Sequence, residues 1–186
     1  MEKYWQQALS FEEYMQEAER RITETHHTNE YYTYYELGLQ RMERILKTFK
    51  IDEEALISLK SKNFKGKLLI ITEPWCGDAS ATVPAVSKFF EAGGIEVRIF
   101  LRDADQSLIN QFLTNGTQSI PKILILNEDF SVKEVWGPRP KYGAELLKKF
   151  KENEAMYPRE TFYNDLQVYY AKNKGKDALE EILNLI

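Results

Sequence analysis

The sequence predicts an α/β domain: a central mixed β-sheet flanked by helices, with further helices added at both ends. Three observations carry that prediction. The run "KLLIIT" at residues 67–72 is compact and aliphatic, the composition of a strand covered on both faces. Beyond it, strand-like and helix-like segments follow in the order β-α-β-α-β-β-α, which suggests a mixed sheet with helices on both faces. Residues 1–64 and 154–186 carry helical periodicity and helix-start signals. A chain of 186 residues suits one domain with such additions and is short for two independent ones.

In the N-terminal zone, Ser10 and Glu13 form a capping box before "FEEYMQEAERRI", which sets Phe11, Tyr14, Met15, Ala18 and Ile22 near one face. A second helix is expected from about Asn29 to Phe49, with Tyr31, Tyr35, Met42, Ile45, Leu46 and Phe49 inward. Asp52 caps a third, "EEALISLK". The middle zone, residues 65–153, begins with "KLLIIT" and continues into a helix that starts near Cys76 and stops at Gly93-Gly94. There follow a strand "IEVRIFLR", a helix "DQSLINQFL", a hairpin of "KILIL" and "SVKEVW" across "NED", and a helix "KYGAELLKKFKEN". Residues 154–186 supply Pro158 at a helix start, the helix "FYNDLQVYYAKN", a break at Gly175 and "KDALEEILNLI". The terminal helices are too apolar on one face to stand free, so one compact unit is expected.

Composition excludes several classes. A net charge of −4 gives no basis for nucleic-acid binding or adhesion to anionic membranes. The longest aliphatic runs, Leu68–Ile71 and Ile123–Leu126, are far below a membrane span. The first residues lack the pattern of a secretion signal, and a cytoplasmic protein is expected. With one cysteine there is neither an internal disulfide nor a Cys-based zinc site. The pair His26-His27 points in diverging directions on a helix and has no third ligand nearby, so no metal and no cofactor is expected. Tyr31, Tyr32, Tyr34 and Tyr35 are read as core and half-buried packing, since no basic surface accompanies them as a stacking platform for bases.

The one chemically distinctive stretch is "EPWCGDASATVPAV", residues 73–86. A cysteine where a buried strand turns into a helix faces unpaired N–H groups and the positive end of the helix dipole, which favour the thiolate. On that ground an apparent pKa below the unperturbed value of about 8.5 is expected for Cys76. Asp78 acts the other way if it lies close to the sulfur, and the sequence leaves the balance open. Asp78 itself reads first as an ordinary helix-start carboxylate. Gly77 allows close backbone approach, and Trp75 can shield one side.

These residues resemble the thioredoxin family. Trp75-Cys76-Gly77 matches its Trp-Cys-Gly, and Pro84 its proline within the active-site helix. Pro121 in "GTQSIPKILIL", 45 residues after Cys76, matches its cis-proline, and Gly137 its glycine near the substrate groove. The resemblance covers about residues 65–150, and Trp-Cys-Gly-Asp-Ala with "WGPRP" is similar to a single-cysteine subgroup. Two departures matter. Ala79 stands at the resolving cysteine, and Ile70 stands where the family has a buried acid six residues before the nucleophile. Release of a substrate by an internal thiol needs both sulfurs, so dithiol reduction of protein disulfides is not expected.

The resemblance implies a thioredoxin-like fold with Cys76 as catalytic nucleophile in monothiol thiol–disulfide exchange. Its partner would be an external low-mass thiol or a thiol- or disulfide-bearing protein that resolves the mixed disulfide. It also implies a substrate groove of Trp75, Gly77, Asp78, Ile120, Pro121 and Gly137, in which Ile120 pairs with an extended substrate. Pro74 and Trp136-Gly137-Pro138 would complete its apolar walls. Arg139 in "RPK" reads as a solvated residue at a helix start, or else as a holder of a small thiol's carboxylate. The competing reading is a non-catalytic module that binds a peptide or protein in this groove, with Cys76 incidental.

Overall fold

The computed structural model describes residues 1–25 and 28–186. His26 and His27 lie outside the described residues. Strands β1 (Lys67–Thr72), β2 (Val97–Leu101), β3 (Lys122–Leu126) and β4 (Val132–Trp136) form one sheet in the order β2-β1-β3-β4. β1 runs parallel to β2 and antiparallel to β3, with Ile70 opposite Ile99 on one side and Ile123 on the other. β3 and β4 form an antiparallel hairpin with an irregularity at Ile125/Leu126. Leu68 to Ile71 and Ile123 to Leu126 are fully buried, which is why these runs show no alternation in sequence.

Helix α1 (Glu2–Gln7) is not legible in the periodicity, because it has under two turns. It buries Tyr4 and Trp5 and delivers Leu9 to the free side of β2. There Leu9 and Ile99 exchange both backbone hydrogen bonds at 2.8 Å, so the exposed sheet edge is partly closed. Helix α2 (Phe11–Glu24) starts in the expected capping box, with Glu13 N–H donating to Ser10 Oγ at 3.2 Å and Ser10 N–H to Glu13 Oε2 at 2.7 Å. Helix α4 (Glu53–Ser61) is capped by Asp52, whose carboxylate accepts from Ala55 N–H at 3.0 Å.

Helix α3 (Tyr32–Thr48) buries Tyr35, Met42, Ile45 and Phe49, but not Tyr31, which precedes the helix and is exposed. It lies against α5 (Gly77–Ala92), the helix that begins at the cysteine. α5 is buried over nearly its whole circumference, and its small residues Ala79, Ala81, Ala85 and Ser87 let neighbouring helices approach. Lys88 on α5 donates to the carbonyls of Leu46 and Phe49, satisfying the C-terminal end of α3.

The segment "DQSLINQFL" departs from expectation: only a single 3-10 turn forms, Ile109–Gln111. Asp105 Oδ1 accepts from Ser107 N–H in a local turn, and Leu108 and Ile109 are both fully buried, so the chain is anchored by adjacent residues rather than by a helical stripe. The remaining helices are α6 (Lys141–Glu152), α7 (Arg159–Asn173) and α8 (Lys176–Leu185). α7 ends with Lys174 and Gly175 in left-handed conformation, Gly175 at φ +83° with no room for a Cβ against Ala85. α8 then joins the main core through Ala178, Leu179 and Ile182, while α7 packs with α6 in a second cluster. Lys133 of β4 donates to the carbonyls of Leu185 and Ile186 at the end of α8. No described helix is long and apolar enough to cross a membrane.

Candidate functional site

The chain leaves β1 through Glu73-Pro74-Trp75 and enters α5 with Cys76 as the residue before its first turn. Cys76 N–H donates to the Glu73 carbonyl at 3.0 Å, which fixes the turn. The sulfur is buried, 6% exposed, and donates to the Ile120 carbonyl at 3.4 Å. The Ile120–Pro121 peptide bond is cis, as is Gly137–Pro138. Ala79 is fully buried one turn along α5, and Ile70 fully buried in β1.

The expected low thiol pKa is not what the structure gives. Burial, reinforced by the Asp78 carboxylate, pushes the Cys76 thiol up to about 12, although the Ala79 and Asp78 backbone N–H groups act to lower it. The helix start is therefore outweighed by loss of solvent and a like charge, and the resting sulfur is a protonated donor.

Asp78 is more than a helix-start carboxylate. Its Oδ2 meets Arg139 Nη2 at 2.5 Å and its Oδ1 accepts from Tyr170 O–H at 2.7 Å. Burial pushes its own pKa up against the pull of Arg139 and Tyr170. Arg139 is thus largely buried and committed through Nη2 to Asp78. It joins the β4–α6 connection to the start of α5, and Tyr170 brings in α7. Glu73 is the buried acid of this site: three residues before Cys76, it accepts from Asp103 N–H at 2.7 Å. Burial raises its pKa to about 7.

A cleft of about 570 Å³ opens over the thiol. Trp75, Cys76, Gly77, Asp78 and Ile120 all line it. Pro121 and Gly137 are not among its lining residues. Gly137, at φ +110°, sits where a Cβ would be 2.4 Å from the Pro121 carbonyl, so it permits close passage of two backbone segments. It and Pro138 line a separate cleft with Thr114 and Leu147. Trp136 is likewise no groove wall: it is buried and donates from its indole nitrogen to Glu181 Oε2 at 2.7 Å, which fixes α8.

Sequence reasoning missed the flanks. Tyr34, Leu37 and Arg41 of α3 line one part of the cleft, and Tyr163, Leu166 and Gln167 of α7 another. Tyr31 and Tyr34 are exposed here instead of packed in the core, and the Tyr31 ring lies 5.4 Å from that of Trp75. Arg102 stacks over Trp75 at 4.9 Å and pairs with Asp103 at 2.7 Å. The available signal was Gly38 in mid-helix, an unfavourable residue there without a packing reason. A Cβ at Gly38 would stand 2.5 Å from the Pro74 carbonyl oxygen, so glycine is what lets α3 reach the cysteine loop. No cluster of three or more metal-ligating His, Cys, Asp or Glu side chains occurs among the described residues.

Comparison with known proteins agrees with this architecture. The chain is similar over 98% of its length to an HIV epitope scaffold, covering 94% of that chain at 16% identity and a TM-score of 0.66. It is similar over 96% of its length to a protein of unknown function from Pseudomonas aeruginosa, covering 91% of that chain at 17% identity and a TM-score of 0.62. Among curated proteins none matches. The family model described as thioredoxin matches residues 25–151, starting well before the 65–150 span of the sequence resemblance and taking in α3 and α4. Since that match spans more than half of the chain, and the sheet, the cysteine at the start of α5 and the Ile120–Pro121 loop stand together in one site, the chain belongs to the thioredoxin family.

Proposed function

We propose that this protein is a monothiol thiol–disulfide exchange protein of the single-cysteine, Trp-Cys-Gly-Asp-Ala type, with Cys76 as nucleophile. The observation that carries the reading is the contact of the sulfur with Ile120 at the floor of an open cleft, with the buried Ala79 in the resolving position. In the resting state the thiol donates to the Ile120 carbonyl. A substrate N–H that takes this carbonyl removes the thiol's acceptor and leaves the Asp78 and Ala79 amides facing the sulfur.

The chemistry balances in two exchanges. Cys76 loses its proton to solvent, and the thiolate attacks a disulfide R–S–S–R′. The bond between Cys76 and the R sulfur forms as R′–S⁻ leaves. An external thiolate R″–S⁻ then attacks the R sulfur, forming R–S–S–R″ and returning the Cys76 thiolate. Ala79 provides no internal sulfur for that second step.

The raised thiol pKa is the observation on the side of the competing reading, a non-catalytic binding module with Cys76 incidental. Uncharged hydroxyethyl disulfide separates them. The exchange reading expects a single mixed-disulfide adduct by intact mass, faster at higher pH, reversed by added thiol and absent in Cys76→Ser. A native, folded protein that forms no adduct across that pH range overturns it.

A further inference from the structure

Three arginines face the cleft, and two of them are already engaged. Arg139 is paired with Asp78, and Arg102 with Asp103 and the Gln118 carbonyl. Arg41 is different. It is half-buried on α3 and has neither a hydrogen bond nor a carboxylate within ion-pair distance among the described residues. Its Nη1 lies 3.5 Å from the Cβ position of Gly77, so the guanidinium rests against the residue next to Cys76. Its nitrogens are open to the cleft rather than sealed in the core, and the Asp78 carboxylate that its charge feels is already held by Arg139 and Tyr170, which leaves the guanidinium available to an anion. A planar guanidinium so placed matches a carboxylate.

We propose that the cleft holds a low-mass thiol or disulfide that carries a carboxylate, with Arg41 binding the carboxylate beside Cys76. The proposal rests on the exchange reading for the role of the sulfur, and it adds the substrate class. The space supports it: about 570 Å³ suits a molecule of a few residues' size, bounded by α3 and α7. Tyr31 and Trp75 offer ring faces for its apolar part, and Tyr34 and Tyr163 are further exposed rings lining the same cleft. Both flanking helices are needed for this enclosure, which gives the additions to the sheet domain a role in selecting the ligand.

Non-covalent binding tests the proposal apart from reactivity. S-methylglutathione and S-methylcysteine, which cannot exchange, are titrated calorimetrically into the native protein alongside their carboxyl esters. At least one free acid should bind at millimolar concentrations or below, with its ester weaker by about tenfold or more. Arg41→Met should weaken the acid to the level of the ester, and Arg41→Lys should recover part of the loss. Equal binding of acid and ester, or no binding by either acid, overturns the proposal even if hydroxyethyl disulfide reacts with Cys76. Carboxylate-dependent binding with no disulfide reactivity upholds the site and overturns the exchange reading alone.

Discussion

At the scale of single residues, burial decides the chemistry that helix position only suggests. Cys76 has the helix-start amides that favour a thiolate, yet its enclosure and the Asp78 carboxylate reverse the sign of the shift. Glu73 is subject to the same physics. Its carboxyl is 1% exposed and holds its proton up to about pH 7, whereas in the unfolded chain it ionises near 4.5. Between those values the folded state binds more protons, so this group lowers stability as pH rises from about 4.5 to 7 and contributes no further change above that. Glu73→Gln keeps an acceptor for Asp103 N–H and cannot ionise. Relative to the native protein it should gain roughly 2–3 kcal/mol between pH 5 and pH 8, read from urea unfolding at both. A gap that does not change with pH would show that Glu73 is not desolvated in the folded state.

Secondary elements are legible in the sequence where a local signal is complete. Ser10 with Glu13, Asp52 with Ala55 N–H, and the unbroken aliphatic runs at 68–71 and 123–126 all announce their elements through chemistry within a few residues. The segment 105–113 misleads because a buried Leu108-Ile109 pair resembles part of an apolar helical stripe. α3 is legible as a helix, but its position is not, since Gly38 acquires meaning only from Pro74, far along the chain. In an ordinary helix interior, Gly→Ala stabilises by roughly 0.5–1 kcal/mol. Here the new Cβ would meet the Pro74 carbonyl at 2.5 Å, so Gly38→Ala should destabilise by about 1–2 kcal/mol in urea unfolding. The same variant should weaken carboxylate binding, because Arg41 lies one turn further along α3.

Over the whole molecule, the sheet supplies the cysteine and the Ile120–Pro121 loop while the flanking helices supply the cleft's sides. Tyr170 reaches from α7 to Asp78 across 92 residues of sequence, and Arg139 reaches it from the β4–α6 connection. A thioredoxin-like fold thus places one cysteine at the start of α5, with Ala79 three residues further on. In coupled assays with a thioredoxin reductase the native protein should not turn over insulin disulfides, since Ala79 leaves no internal thiol to release the mixed disulfide. Vigorous insulin reduction would sink the monothiol reading.

By itself the sequence determined the four strands, the longer helices outside residues 1–9 and 105–113, the caps of α2 and α4, and the single sulfur at the start of α5. Those are properties of periodicity, local hydrogen bonding and residue identity, which neighbours along the chain fix. Only the tertiary structure decided that Asp78 is locked to Arg139 and Tyr170, that Trp136 belongs to the core, and that Arg41 faces the thiol cleft with no carboxylate of the described residues within ion-pair distance. Each depends on which distant segments exclude water together, and desolvation is set by packing in three dimensions rather than by spacing along the chain.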